Sequence, residues 1–506
     1  MPAAPPDPDP APTAPRRPGS RPLLEALLAT VLSFGTAGLL HGMQPMPRDS
    51  DAAYHYAVVL LMRAHGMLQA FPWERFSIVR DVYSDKELLF HFAFLPFLDL
   101  GYEPAVKVVG ALLGGLWLLA TWALLAREGV RRAWLWPVVT VASSSYFLVR
   151  FSLCRPHLLA VPLTLLVAWA AARQRYRLLL ALAFVYPLAY HAFHALWVAL
   201  VLIEGVRALS GGRPDWRTAA ALAAGNTAGL LLHPHFPAVL EHSWLETFQT
   251  LFASAVLGEQ VPGVGAEFAA FTLPELAVHA GLPFAATAVA LGVGWRRRRQ
   301  DALPLTFAAL ALAFGLLTAA SQRFVEYQAP LAFVALALAL PRVRLLPVAL
   351  LAAGLFLQAT AGRENLSRLL QRMEYFPPEV VAELRARVPE RAHVFHCDWG
   401  YAGYAWLALP ERELMYALNP VRFYRVDPEG YMLFYGLVRG GAEHPAELVR
   451  ERFDSRYVLC DIRSDWRPFI ASLQADPEAQ DLGRFGYWYL FDVGAPPSQR
   501  AAGGAW

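Results

Sequence analysis

About 20 mostly apolar residues in a row can cross a bilayer, because a helix rises ~1.5 Å per residue and the hydrocarbon core is ~30 Å thick. This sequence returns to long apolar runs again and again and follows almost every second one with arginines. With 56% hydrophobic and only 17% charged residues in 506, it excludes an ordinary soluble protein and reads as a polytopic membrane protein. The net charge of +3 is too small to argue for a nucleic-acid partner. Its basic residues fall in short clusters between apolar runs, where they report orientation instead.

The expected spans are Leu23–Met43, Pro104–Ala126, Trp134–Val149, Leu158–Ala172, Leu178–Tyr190, His194–Leu209, Ala219–Leu232, Leu276–Gly294, Leu303–Ala320, Ala329–Leu340 and Leu345–Thr360. Arginine clusters at 127–132, 173–177, 213–217, 296–299 and 342–344 then all fall on one side, as the cytoplasmic bias of Lys and Arg requires. The expected fold class is therefore an α-helical polytopic membrane protein of about 11 transmembrane helices, N-terminus cytoplasmic, in the inner (plasma) membrane. Residues 1–22 read as a disordered cytoplasmic tail, and 23–362 as the transmembrane domain with a long first outer loop over 44–103. Leu88 to Leu100 is too short to cross and reads as a helix dipping into the outer leaflet.

From Tyr375 the composition turns soluble. HVFHC and YVLCD read as short buried strands, PPEVVAELRARV and HPAELVRERF as amphipathic helices, and GRFGYWYLFDVG as a closing strand pair. A small extracytoplasmic α/β domain over 375–495 is expected. Cys397 and Cys460 lie in it and can pair if it faces an oxidising compartment, although sequence cannot bring their sulfurs together.

The stretch Met46–Phe97 holds the densest set of ionisable groups, among them Asp49, Asp51, His55, Asp85 and His91. The later outer turns carry Arg150, Arg155 and His157 (VRFSLCRPHLL), His191 and His194 (YHAFHALW), His233 and His235 (LLHPHF), and Arg323 and Glu326 (SQRFVEYQAP). Any one of these histidines alone is most simply an interfacial side chain. Taken jointly they are harder to explain so, since the inner turns hold arginines almost exclusively, and ionisable groups at membrane depth usually line a cavity or pair. Carboxylates beside His55 can orient or deprotonate an acceptor, and Arg150, Arg155 and Arg323 suit a phosphate or diphosphate. That combination points to a polyprenyl-phosphate-linked sugar donor in the bilayer. The other named histidines, Glu326, Asp85 and His91 are expected to line the same cavity. The Asp-Ser-Asp run could also bind a hard divalent cation or, more simply, cap a helix from Asp49 or Ser50. A polytopic lipid or sugar transporter or flippase is the alternative, with no inverted repeat to support it.

One span, a long acidic outer loop with a short helix, then a span ending in a basic turn: this order resembles the GT-C superfamily of polytopic glycosyltransferases. Asp51-Ala-Ala-Tyr54-His55 looks like the D-x-x-Y-H of the first outer loop of oligosaccharyltransferase catalytic subunits, and Asp85 to Pro104 is similar in position to the loop helix of protein mannosyltransferases and aminoarabinose transferases. The resemblance implies a glycosyltransferase with Asp51 as its catalytic carboxylate, Asp49 beside it and His55 assisting. The acceptor would be a glycan, lipid or protein. In oligosaccharyltransferases a second acidic pair after the third span helps hold a metal; here that place reads RFSLCRPHLL, with no acid, which favours a metal-independent enzyme in which Arg150 and Arg155 handle the phosphate over one that uses a divalent metal. Cys397-Asp398-Trp399-Gly400-Tyr401 differs in order from the Trp-Trp-Asp-Tyr-Gly acceptor motif, so sequon recognition does not carry over.

Overall fold

The computed structural model describes residues 20–44, 49–254, 261–370, 376–462 and 466–498. The expected disordered tail lies outside the described residues as far as residue 19. Helix α1 (Ser20–Gly42) is followed by α2 (Ser50–His65), α3 (Leu88–Phe94) and α4 (Tyr102–Arg127). Then come α5 (Trp136–Ala142), α6 (Ser145–Ser152), α7 (His157–Ala172), α8 (Tyr176–Ala189), α9 (Ala195–Leu209) and α10 (Trp216–Leu231). Helix α11 (Ala238–Trp244) runs into a π-helical stretch, Leu245–Ser254, and α12 (Leu273–Arg297), α13 (Leu303–Ala320), α14 (Val325–Ala339) and α15 (Leu346–Ala359) complete the apolar part.

Among the described residues, α1 from Leu23, α4, α12 and α13 are long and apolar enough to cross a membrane. The pair α6 and α7, bent by 113°, makes a fifth span if taken together. Helices such as α8 and α15 have 14 residues each, about 21 Å of rise against a hydrocarbon core of ~30 Å. By length and composition the structure supports four or five spans, and the expected count of about eleven is not reached.

The expected span Trp134–Val149 is broken, and the sequence contains the reason. Thr140 Oγ1 bonds back to Trp136 O at 3.0 Å and Ser143 Oγ to Thr140 O at 2.7 Å, while Ser144 caps α6 by accepting the Phe147 N–H at 3.0 Å. Hydroxyls that satisfy backbone groups locally end one helix and start another. The chain then turns through Leu153–Pro156, placing Arg150 and Arg155 at the end of the bundle that faces the first loop.

The arginine-bearing turns gather at the opposite end. Arg131 N–H reaches Pro341 O at 2.8 Å, Arg297 reaches Ala339 O at 3.1 Å, and Arg173 pairs with Glu128 and with Asp301 at 3.1 Å. Between the two ends α1 packs along α4 through Gly110, Gly114 and Gly115, whose missing side chains admit His41, Ala37 and Phe34. Small residues of this kind let helices approach closely where the hydrophobic effect gives no drive.

The C-terminal domain is a mixed sheet of β1 (His393–His396), β2 (Glu413–Leu414), β3 (Tyr457–Asp461), β4 (Gln480–Phe485) and β5 (Trp488–Asp492), in the order β2-β1-β3-β5-β4. The strands expected from HVFHC, YVLCD and the closing pair are all present, and Cys397 is bonded to Cys460 at a Cα separation of 5.3 Å. The short edge strand β2 is covered by the first loop: Arg75 N–H bonds Leu414 O at 2.9 Å and Leu414 N–H bonds Trp73 O at 2.8 Å. An uncovered edge would present unpaired backbone groups, so the pairing joins loop and domain. They share one core as well, in which Tyr54, Phe71 and Trp73 pack with Tyr404, Trp406 and Leu414.

Helix α2 touches the domain most closely at Gly403, where a Cβ would stand 2.4 Å from Tyr54 N and 2.8 Å from Ser50 O. Neither backbone atom can yield alone. Gly403→Ala is expected to lower the melting temperature, an overpacking cost of about 1–3 kcal/mol. Because it displaces the start of α2, it should lower activity in the folded fraction too; an unchanged melting curve in detergent would contradict the close approach.

Candidate active site

Asp49 caps α2, its Oδ1 accepting the Asp51 N–H at 3.2 Å, which leaves the Asp51 side chain outside the capping bond. Asp51 and His55 are four residues apart and share one helix face. That face meets Arg155, from the turn before α7, which contacts Asp49 at 2.7 Å, Asp51 at 2.8 Å and Glu267 at 3.1 Å. Glu267 sits on a one-turn 3-10 helix, Ala266–Phe268. It also receives Arg150 of α6 and, at 3.2 Å, Arg323 from the turn before α14. Arg150 is held from behind by Glu326 in the first turn of α14. Three guanidinium groups and four carboxylates thus form one continuous network, and each charge removed from water has a partner.

The network walls a cavity of about 270 Å³. Its other wall is built around Lys86, which reaches Glu246 at 3.1 Å and Glu87 at 3.5 Å, with His191 at 3.3 Å from Glu87. The C-terminal domain closes this side. Asn419 donates to Glu246 at 2.9 Å and to Thr250 at 2.7 Å, while Arg422 contacts Glu246 at 2.9 Å and Glu74 at 3.5 Å.

Of the residues expected from sequence, the structure brings Asp51, His55, Arg150, Arg155, Arg323, His157 and His191 to the cavity wall. Asp49 lies just behind, spent on Arg155 and on the helix cap. Six expected lining residues do not line it. Glu326 is turned away by its bond to Arg150, and His194 stacks on Phe193 at 4.2 Å. His233 and His235 are bound to the backbone of Asp85 and Leu68. Asp85 and His91 form a layer behind His55. The sequence placed these groups at the correct turns but could not give the direction in which each side chain points.

Lys86, Glu87, Glu246, Glu267 and Arg422 were missed as site residues. Lys86 and Glu87 adjoin Asp85 inside the acidic stretch and could have been added by proximity. Glu267 is a lone acid in the apolar loop GVGAEFAAF, a weak signal. Glu246 and Arg422 become site residues only through contacts between distant parts of the chain.

Burial pushes the Asp51 carboxyl up, Arg155 opposes it, and Asp49 and Glu267 add to the rise, leaving it at about 6. Glu267 goes the other way. Burial would raise it too, but Arg150, Arg155 and Arg323 hold it well below the usual carboxylate range. Two neighbouring carboxylates driven apart in this way are suited to different roles. No group of three or more His, Cys, Asp or Glu side chains among the described residues is arranged to hold a metal ion. Arg422→Met would leave Glu246 and Glu74 buried and short of a partner, and breaking such a pair costs about 3–5 kcal/mol. The full-length chain should therefore unfold at clearly lower temperature, and a melting point within a degree of the parent would show that Arg422 is dispensable.

No protein-family model matches the sequence, and no curated protein matches it either. Solved structures do resemble it. The archaeal oligosaccharyltransferase AglB from Archaeoglobus fulgidus, in complex with an inhibitory peptide and a dolichol-phosphate, superposes with a TM-score of 0.57 at 14% identity, over 93% of this chain and 74% of that one. ArnT from Cupriavidus metallidurans bound to undecaprenyl phosphate gives 0.57 at 12% identity, over 95% and 99% of the two chains. The apo state of that ArnT gives 0.54 at 13%, over 94% and 98%. Both neighbours are GT-C glycosyltransferases, and this chain has a GT-C-like fold.

Proposed function

We propose that this protein is a membrane glycosyltransferase that moves a sugar from a polyprenyl-phosphate-linked donor to an acceptor at the extracytoplasmic face. The observation that carries the reading is that Asp51, His55, Arg150, Arg155, Arg323 and Lys86 line one cavity. A carboxylate that can hold an acceptor and four cations that can meet a phosphate are what such a transfer needs. Two of the structures that share the fold carry dolichol-phosphate and undecaprenyl phosphate, which favours an anionic isoprenoid carrier here and does not favour the transporter alternative. In this reading the cavity and the 375–495 domain face the extracytoplasmic side of the inner membrane. The arginine-bearing turns are then cytoplasmic.

Asp51, ionised and steered by Arg155, accepts a hydrogen bond from the acceptor and orients its nucleophile toward the anomeric carbon. Asp49 keeps Arg155 in place. The donor phosphate takes the position now filled by the Glu267 carboxylate, on which Arg150, Arg155 and Arg323 converge, and Lys86 meets it from the other wall. As the bond from the sugar to the phosphate oxygen breaks, the charge left on that oxygen is met by guanidinium groups already fixed in direction.

Two outcomes follow for a membrane preparation given a labelled lipid-linked sugar. Transfer should rise with pH through a midpoint near 6, since Asp51 is protonated below its raised pKa and ionised above it. Asp51→Asn should cost about a hundred- to a thousand-fold in rate and remove that limb. Full activity in the variant would defeat the assignment. Glu267→Gln should melt at lower temperature when free of lipid, because three arginines lose their shared counter-charge. It should also gain more from added polyprenyl phosphate than the parent does; equal gains would place the phosphate elsewhere.

A further inference from the structure

The histidines around Asp85 are joined by hydrogen bonds whose directions can be worked out in turn. His233 Nε2 lies 3.1 Å from Asp85 O, a carbonyl that can only accept, so Nε2 carries the proton and Nδ1 accepts the His235 N–H at 3.2 Å. His235 Nε2 lies 2.7 Å from Leu68 O and likewise carries its proton, leaving Nδ1 to accept the Asp85 N–H at 3.3 Å. The two histidines of LLHPHF therefore fix the backbone of Asp85 on both sides. Its carboxylate accepts from His91 Nδ1 at 2.8 Å to each oxygen. In the neutral ring His91 Nε2 is then an acceptor, and it faces His55 Nδ1 at 2.8 Å. His55 must donate there, which leaves its Nε2 lone pair as the ring nitrogen available to the cavity that His55 lines. Asp85, His91 and His55 are buried, at 1%, 1% and 3% exposure, so little solvent competes for these bonds.

We propose that Asp85, His91 and His55 form a proton relay in which His55 Nε2 removes the proton of the acceptor nucleophile. The proposal rests on the glycosyl-transfer reading above. In the step, the acceptor X–H bond breaks and its proton goes to His55 Nε2, while the His55 Nδ1 proton passes to His91 Nε2. The electron pair freed on the acceptor forms the bond to the anomeric carbon, and the pair of the breaking C–O bond stays on the phosphate oxygen of the carrier. His55 remains neutral throughout; the ring left charged is His91, beside the Asp85 carboxylate.

The surroundings favour that placement of charge. Burial and the facing His91 hold His55 well below the ordinary imidazole range, Glu87 opposing and Lys86 and Arg155 reinforcing the shift. His91 is also depressed by burial, but Asp85 and Glu87 outweigh burial and Lys86 and hold it above the ordinary range. A proton that arrives at His55 is therefore more stable one ring further in. Asp51, whose Oδ2 is engaged by Arg155, orients the acceptor and is spared the proton. Asp85 and His91 are positioning residues; of the three relay members only His55 touches the reacting atoms.

The test uses the full chain in lipid nanodiscs with ¹⁵N-labelled histidine. At a pH where the His91 nitrogen shifts show a neutral ring, the parent should show His55 protonated at Nδ1 and unprotonated at Nε2, with a strongly downfield Nδ1–H proton that His55→Gln removes. Asp85→Asn keeps the size but offers an N–H to His91 Nδ1, which reverses the chain and should move the His55 proton to Nε2. In turnover with a labelled polyprenyl-phosphate sugar, Asp85→Asn and His91→Gln should each lower kcat about a hundred- to a thousand-fold, the usual worth of general-base catalysis. The donor KM should stay within about twofold, a split that general loosening of the fold would not give. If Asp85→Asn elutes aggregated, His55→Gln, which keeps a donor toward His91, carries the same prediction. Wild-type kcat in a folded Asp85→Asn or His55→Gln protein, or an Nε2-protonated His55 in the parent, overturns the relay. A parent that transfers no sugar from any polyprenyl carrier overturns the functional reading and with it the catalytic role of His55, while the tautomer measurement still decides the direction of the hydrogen-bond chain.

Discussion

Arg155 is the member on which the site depends most. A charge moved out of water costs several kcal/mol unless it is met by an opposite charge in good geometry. Arg155 is met by Asp49, Asp51 and Glu267 together. Those partners come from the start of α2 and from a loop more than 200 positions further on, while Arg155 itself comes from the turn between α6 and α7. None of the three segments can settle in another position without exposing or stranding a charge. Arg150 extends the constraint to α14 through Glu326, so the opening of the bundle is closed by pairing rather than by apolar contact.

The second wall shows the same logic and explains why the C-terminal domain is part of the site. Lys86 needs Glu246, and Glu246 is held in turn by Arg422 and Asn419 of that domain. The first loop adds backbone pairing to β2, and its aromatic residues share the domain's core. Removing the domain would therefore leave the loop backbone at Trp73 and Arg75 unpaired and uncover half of a hydrophobic core and a lysine–glutamate pair at once. The cavity is a property of loop, bundle and domain together.

These relations mark what the sequence could and could not disclose. The capping aspartate at 49, the strands around Cys397 and Cys460, and the turns bearing Arg150, Arg155 and Arg323 follow from local rules of capping, alternation and charge placement. The break at Ser143 and Ser144 was local too, but an apolar background concealed two hydroxyls that end a helix. Glu267 and Arg422 were beyond reach for another reason: a lone acid in an apolar loop and an arginine in a soluble helix acquire meaning only from partners far away in the chain. The histidines of LLHPHF were noticed and given the wrong task, because spacing places a ring at a turn without saying which atom it binds.

Two of the carboxylates that line the cavity show how such a network prepares one group to act while the rest stay fixed. Glu267 is shared by three guanidinium groups, whereas Asp51 shares a single guanidinium with two other carboxylates. Asp51 is therefore the least compensated acid, which is why burial carries its pKa to about 6 while that of Glu267 falls. It is also the more open: its side chain is 24% exposed, against 19% for Glu267 and 2% for Asp49. A group that is poorly paired, half turned to the cavity and next to a histidine on the same helix face has the most to gain from a new hydrogen-bond donor. Exchange of partners on substrate binding should begin at Asp51, with Asp49 and Glu326 holding the arginines still while it does.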